Sequence, residues 1–247
     1  MIHPVHAKVL RKRRSAAVVV VLLVFLGIQL FAALNSDSLP AQTGVLSEVS
    51  GTSERALSVL ERLEVKGRAP KSGYKRSEFG DGWASIAGCD MRNRMLARAM
   101  KEETIADDGC VVLSGVLDDL YTAKTIQFVR GSSTSSDVQI DHVVALSDAW
   151  QKGAQNLSYE NRVTFANDPL NLLAVDGKTN QDKGDSDAAS WLPPNKEYRC
   201  QYVARQVAVK AKYSLWVTDA EQSAIRRVLN SCPEQVVPIE KGDEQVS

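Results

Sequence analysis

The chain has 247 residues, 44% of them apolar, enough for one or two domains with a real core and too apolar to be disordered throughout. Its 30 Lys and Arg balance its 30 Asp and Glu, but Lys8, Arg11, Lys12, Arg13 and Arg14 stand at the start with no acid among them. Without those five, 25 basic residues face 30 acidic ones from Asn35 onward, a net of −5; this argues against coating nucleic acid through many phosphate contacts and leaves room for a local basic groove.

Residues 1–14 read as a basic cytoplasmic segment and residues 15–34 as an uncharged apolar stretch. At 1.5 Å per residue such a stretch spans ~30 Å, the thickness of a bilayer's hydrocarbon core. The basic cluster before it places the N-terminus in the cytoplasm and the remainder outside. Its length favours an uncleaved membrane anchor over a cleaved signal segment, with secretion the outcome if it is cleaved. Residues 35–50, rich in Ser, Gly, Pro and Thr, read as a linker, residues 51–235 as the folded domain, and residues 236–247 as a flexible tail.

Within the domain, Ala56, Leu57, Leu60 and Leu63 recur at helical spacing from Ser53 onward. Lys66 to Gly82 reads as loop, and Asp90 to Glu103 as a helix with Met91, Met95, Leu96 and Met100 on one side. Strands are expected over Val111–Leu117, Thr125–Arg130 and Asp137–Ala145, then one or two short helices between Ser147 and Asn167. Asn195–Ser214 and Thr218–Ser231 read as two helices around a short turn, the second opened by the capping box Thr218-Asp219-Ala220-Glu221. Trp150, Trp191, Tyr198 and Tyr202 are expected to pack inside.

Cys89, Cys110, Cys200 and Cys232 form an even set in a region expected outside the cytoplasm, without the close CxxC spacing of zinc ribbons. Three pairings are open. Cys200 lies 14 residues before Ser214 and Cys232 lies 14 residues after Thr218, so an antiparallel helical hairpin puts them at one height. That favours Cys200 with Cys232 and hence Cys89 with Cys110, each bridge contributing about 3 kcal/mol by loop closure.

Of three histidines, His3 and His6 precede the apolar stretch, so His142 is the one histidine of the folded region. It follows Asp141 at the end of an apolar alternation, where a strand points neighbouring side chains to opposite sides. An imidazole is largely available as a base near neutral pH. A hard cation such as Mg²⁺ needs only one or two protein oxygens, which Asp141 and the amide oxygen of Asn180 would provide. No Gly-x-Ser-x-Gly elbow accompanies His142, and the several ligands of a zinc protease are missing. Asp90 and Arg92 are expected to pair structurally beside a disulfide.

The set Asp141-His142, Asn171-Leu172 and Asn180-x-x-Lys183-Gly184-Asp185 resembles the HNH nucleases. Further stretches extend the likeness: Cys89-Asp90-x-Arg92-Asn93, Ala149-Trp150-x-x-Gly153-Ala154, Phe165 to Val175, Trp191-Leu192-Pro193-Pro194 and Tyr198-Arg199-Cys200-x-Tyr202. Together they resemble exported bacterial HNH-family proteins bearing the DUF1524 domain, related to the C-terminal part of GmrSD-type restriction enzymes. The resemblance implies an α+β fold with a ββα-metal (HNH, or His-Me finger) core, here with additional helices, two disulfides and one preceding N-terminal transmembrane helix. It implies a metal-dependent endonuclease with His142 as general base, Asn171 orienting the histidine or its loop, and Asp141 and Asn180 holding Mg²⁺ or Mn²⁺. Lys183 is the leading candidate for a phosphate contact, with Arg130 and Arg162 behind it. Asp176 and Thr179 stand where related proteins carry zinc-binding cysteines, so no structural zinc is expected. The long interval from His142 to Asn171 implies a helical insertion beside the cleft. The expected partners are nucleic acid, DNA ahead of RNA, and the membrane through the N-terminal helix; no protein partner is implied. The competing expectation is a non-catalytic envelope protein that binds nucleic acid or another wall polymer through a degenerate HNH groove.

Overall fold

The computed structural model describes residues 54–132 and 134–238. The segments read as cytoplasmic (1–14), membrane-spanning (15–34) and linker (35–50) lie outside the described residues, as does most of the tail. Among the described residues no helix is long and apolar enough to cross a membrane. In chain order the elements are α1 (Ala56–Arg62), β1 (Ser85–Ile86), β2 (Cys89–Asp90), α2 (Met91–Ala99), β3 (Met100–Ile105), β4 (Val112–Asp118), β5 (Thr125–Val129), β6 (Val138–His142), α3 (Leu146–Gln151), α4 (Tyr159–Ala166), β7 (Leu172–Asp176), α5 (Gly177–Lys183), α6 (Arg199–Lys212) and α7 (Asp219–Leu229). The mixture of helices and antiparallel sheets is the expected α+β class.

Three small antiparallel sheets form, β1-β2, β3-β4-β5 and β6-β7. The helix read over Asp90–Glu103 stops at Ala99, because Met100 leaves it to pair with Leu117 and start β3. Gly115 permits that pairing: a Cβ there would stand 2.9 Å from the Met100 sulfur. Helical spacing of the methionines therefore marked the core correctly but ran past the point where strand pairing takes over. Met91, Met95, Leu96 and Met100 are buried with Phe128, Ile140 and Leu172, joining α2 and the three-stranded sheet to β6 and β7.

β6 and β7 pair in register from Val138 opposite Asp176 to His142 opposite Leu172. Asp176 then caps α5, its carboxylate accepting from the Thr179 amide at 2.8 Å. The helix follows the strand without a loop because Gly177 lies against Ser136, whose carbonyl oxygen would be 1.9 Å from any Cβ at that position. Two strands and a short helix thus fold back on one another. The long interval between the strands carries α3 and α4, as the expected insertion.

The C-terminal helices α6 and α7 pack with α1 around Tyr121, Tyr202, Val203, Val207 and Ile225. The disulfides are Cys89–Cys110 and Cys200–Cys232, with Cα separations of 5.3 and 6.5 Å, the pairing that the hairpin argument favoured. Trp150, Tyr198 and Tyr202 are buried and Trp191 packs partly buried, also as expected. Thr218 caps α7, but the other half of the capping box is absent: Glu221 turns inward and is fully buried.

Glu221 belongs to a buried charge network with no trace in the sequence pattern. The Lys152 ammonium contacts Asp148 at 2.7 Å, Asp187 at 2.7 Å and Glu221 at 2.6 Å. Lys210 lies 3.0 Å from Glu221, and Arg68 reaches Asp148 and Asp187 at 3.0 and 2.7 Å from a more open position. Three cations and three anions therefore join α3, α6, α7 and two loops. Burial on its own would depress the Lys152 pKa, but Asp148 and Glu221 outweigh it and raise it. Burial would raise Asp187, but the Lys152 hydrogen bond and the charges of Lys152 and Arg68 lower it.

The pH dependence follows from those directions. Asp187 contributes stability above its unfolded pKa near 3.8, lost as pH falls through its lower folded value. Lys152 contributes below its unfolded pKa near 10.5, lost as pH rises through its higher folded value. For these two groups stability is flat between those limits, but the buried His142, whose pKa burial lowers from 6.5 to about 3, makes unfolding easier as pH falls below 6.5, so the plateau in unfolding midpoints should begin above that value. Lys152→Met should lower unfolding free energy by about 3–5 kcal/mol in urea titrations, because it leaves three carboxylates without their shared cation; a loss under about 1 kcal/mol would mean the network is not what joins these helices.

Candidate active site

Strand alternation at the end of β6 sends Asp141 and His142 to opposite sides. The His142 ring Nε2 lies 2.8 Å from the carbonyl oxygen of Ala166, at the end of α4. A carbonyl only accepts, so Nε2 carries the proton and Nδ1 is left as the basic nitrogen. Trp83 stacks on the ring at 5.6 Å between centroids and 11° between planes. Burial pushes the His142 pKa down to about 3, outweighing the Ala166 hydrogen bond, and Arg76 and Lys183 lower it further. The imidazole is neutral at neutral pH and able to accept a proton, and the burial that keeps it neutral also makes it a weaker base than a solvated histidine.

Asn171 is fully buried and anchors the same region. Its side-chain oxygen accepts from the Val144 amide at 2.8 Å, and its nitrogen donates to the Val144 carbonyl at 3.3 Å. The backbone carbonyl of Asn171 accepts from Val143 at 2.8 Å. Asn171 thereby holds the chain leaving β6 against the chain entering β7, beside the histidine.

Asp141 lies on the inner side. One carboxylate oxygen accepts from the Tyr121 hydroxyl at 2.5 Å and the other from the Lys183 ammonium at 2.9 Å. Lys183 also donates to the His142 carbonyl at 2.9 Å and is almost wholly buried. Burial raises the Asp141 pKa, and the Lys183 charge and the Tyr121 and Lys183 hydrogen bonds oppose that rise without cancelling it. Asn180, one turn before Lys183 on α5, donates from its side-chain nitrogen to Gln139 at 2.9 Å, which leaves its amide oxygen for another partner.

Asp141, His142 and Asn180 line one open pocket of about 430 Å³, with Trp83, Arg76, Arg92, Gln139, Ser147 and Asp185 among its other walls. No group of three or more His, Cys, Asp or Glu that could hold a metal is present among the described residues. The oxygen donors at hand are the Asp141 carboxylate, already paired with Lys183, and the Asn180 amide oxygen, a sparse oxygen set of the kind Mg²⁺ accepts while keeping its own waters.

The remaining candidates lie elsewhere or face inward. Lys183 is buried, held by Asp141 and the His142 carbonyl, and does not line the pocket. Arg130 donates to the Val112 carbonyl and to Asn93, and Arg162 to Glu78 and the Leu157 carbonyl; neither lines the pocket. Asp90 and Arg92 do not form the expected pair. Asp90 caps α2 through the Asn93 amide, while Arg92 donates to the carbonyls of Ser135 and Val138 at 3.2 Å each and faces the pocket. Tyr121, Trp83 and Arg76 were not singled out by sequence. Trp83 reaches the ring because the Ala84 amide donates to Asn167 at 2.8 Å, tying its loop to the end of α4.

The fold and pocket define a disulfide-bonded α+β domain with a paired-strand and helix centre around one neutral histidine. Residues 90–228 match the family described as GmrSD restriction endonucleases, C-terminal domain, and the chain belongs to that family. It is also 39% identical over 180 residues to a protein of Arthroderma benhamiae described as an uncharacterized secreted protein, covering 72% of this chain and 84% of that one. The similarity therefore extends to a fungal protein. No solved structure matches the chain.

The Lys183 clip makes a measurable claim. Lys183→Met should destabilise the protein by about 3–5 kcal/mol, because it leaves Asp141 buried without its cation. The double variant Lys183→Met with Asp141→Asn should recover part of that loss in the same urea titration. Equal instability of the single and double variants would show that the charge pair is not the cause.

Proposed function

We propose that the protein is an extracytoplasmic, metal-dependent endonuclease that hydrolyses nucleic-acid phosphodiester bonds with His142 as general base. The observation that carries this reading is the orientation of the imidazole: Nε2 is committed to the Ala166 carbonyl, so Nδ1 is the acceptor. Membership of a restriction-endonuclease family supports a nucleic-acid substrate. The two disulfides and the secreted relative support a location outside the cytoplasm, with residues 15–34 as anchor or export segment.

In this reading Nδ1 of His142 takes a proton from water as the water attacks phosphorus in line, and Nε2 passes part of the resulting charge to the carbonyl dipole. Asn171 fixes the turn that presents the ring. Trp83 covers one ring face and keeps bulk water from it. Asp141 and Asn180 would hold Mg²⁺, or Mn²⁺, which supplies charge stabilisation for the phosphoryl oxygens and the departing alkoxide.

One observation favours the rival reading, a non-catalytic envelope protein that binds nucleic acid or another wall polymer. The Lys183 ammonium already neutralises Asp141, as a cation would. The full chain should be incubated with plasmid and RNA in Mg²⁺, Mn²⁺ or chelator. Metal-dependent cleavage is expected, with His142→Ala lowering the rate by about 10²- to 10⁴-fold in a chain that stays folded, its unfolding midpoint lowered only by the loss of one buried, hydrogen-bonded ring. Binding without product in any metal would favour the rival, and a His142→Ala variant that cuts at the parental rate would remove the assignment of the base.

A further inference from the structure

We infer that Arg76 and Arg92, rather than Lys183, Arg130 or Arg162, are the residues that bind the phosphates of the substrate strand, and that the protein grips nucleic acid through about two phosphates only. The inference rests on the nuclease reading for the identity of the polyanion. Its independent basis is the charge left over in the pocket.

The charged residues lining the pocket are Arg76, Arg92, Asp141 and Asp185. Asp141 is paired with Lys183 at 2.9 Å and Asp185 with Lys71 at 3.0 Å. Among the described residues no ion pair is found for either arginine. Each acid thus has a basic partner, Asp141 a buried one and Asp185 an exposed one, and two guanidinium groups without an acidic partner remain facing the cavity. A pocket with that imbalance, on a region whose net charge from Asn35 onward is −5, attracts an anion locally and repels one elsewhere.

The two arginines differ in a useful way. Arg92 is half-buried and its Nη2 is fastened to two backbone carbonyls at the start of β6, which fixes the guanidinium without neutralising it. Arg76 is exposed, forms no hydrogen bond among those described, and starts the short helical turn Arg76–Phe79 close enough to His142 to act on its charge. Arg92 is a rigid phosphate anchor beside the strand, and Arg76 is a movable arm next to the base. A guanidinium fork fits phosphate oxygens in pairs, which a lysine in either place would not reproduce.

The test is a salt titration of binding. A fluorescent single-stranded DNA and its duplex are titrated with the full chain carrying His142→Ala, to prevent cutting, and affinity is followed by anisotropy as salt rises. Two phosphate contacts give a log–log slope of about −1.4 for the single strand and about −1.8 for the duplex. Arg76→Ala should weaken binding about 10-fold, as expected for loss of a charge-assisted bond, reduce the slope by about one contact and leave the unfolding midpoint in place. Arg92→Gln should act alike if it folds; if it unfolds, Arg76→Ala decides alone. In chains that retain His142, Arg76→Ala should raise KM with little change in kcat.

Unchanged slopes in the variants, or a parental slope demanding many more contacts, would overturn the inference. Cleavage that persists with unaltered KM in the arginine variants would sink it and leave the nuclease reading standing. Arginine-dependent binding by a chain that never cuts would retain it and end the nuclease reading. A chain that neither binds nor cuts nucleic acid removes both.

Discussion

One buried ammonium sets the geometry of the pocket. Lys183 joins α5 to β6 by donating to the Asp141 carboxylate and to the His142 carbonyl, so it fixes both neighbours in the strand from behind. Removing an ammonium from water costs several kcal/mol, and only close ionic and hydrogen-bonding partners offset it. The helix therefore cannot slide along the strand without exposing or orphaning that charge. Because Asn180 lies one turn earlier on α5, the same constraint holds its amide at the pocket wall, where Gln139 selects which end is left open. A residue whose sequence position suggested contact with substrate is instead buried against two residues that line the cavity.

Charge elsewhere in the domain follows a contrasting rule. Lys152, Lys210, Asp148, Asp187 and Glu221 are buried and satisfy one another, with Arg68 closing the set from the edge. Such a network contributes little as pairs that merely cancel desolvation, but it penalises any packing that separates its members. It specifies how α3, α6 and α7 meet, while Cys200–Cys232 closes the outer end of the helical hairpin. The pocket arginines escape this neutralisation.

What was legible in the sequence was local. Asp141 and His142 are adjacent, and the β6 alternation announced a strand; Asn180 and Lys183 share a helix face by spacing alone. The disulfide pairing was legible because two short helices around a turn leave few places where sulfur atoms can meet. The rest depended on contacts far apart in the chain. Trp83 stacks on a ring 59 positions later, and Tyr121 reaches Asp141 from the other side of the core. Arg92 looked like the partner of Asp90 because they are two residues apart, but on a helix start the nearer claim on Asp90 is the free amide of Asn93. The charge network left no periodic signal, since its members come from five separate segments. Lys183 misled for a related reason: spacing tells which face of α5 it occupies but not whether that face meets solvent or strand.

The insertion between β6 and β7 explains why a pair of strands and one helix would be insufficient alone. Two paired strands and a seven-residue helix bury too little to hold a ring and two neighbouring pocket side chains in fixed relation. Here α4 supplies the Ala166 carbonyl that sets the histidine tautomer, and Asn167 at its end holds the Trp83 loop over the ring. The same helix carries Arg162, whose bonds to Glu78 fasten the turn that bears Arg76. At the other end of the insertion, α3 lines the pocket with Leu146 and Ser147 and sends Asp148 and Lys152 into the charge network. The orientation of one imidazole is thus tied, through the two short helices between its strands, to the packing of the whole helical layer. A change that loosens that layer should therefore be felt at the ring before it is felt at the paired strands, because β6 and β7 have their own ladder while the Ala166 carbonyl is placed by α4 and by what packs against its end.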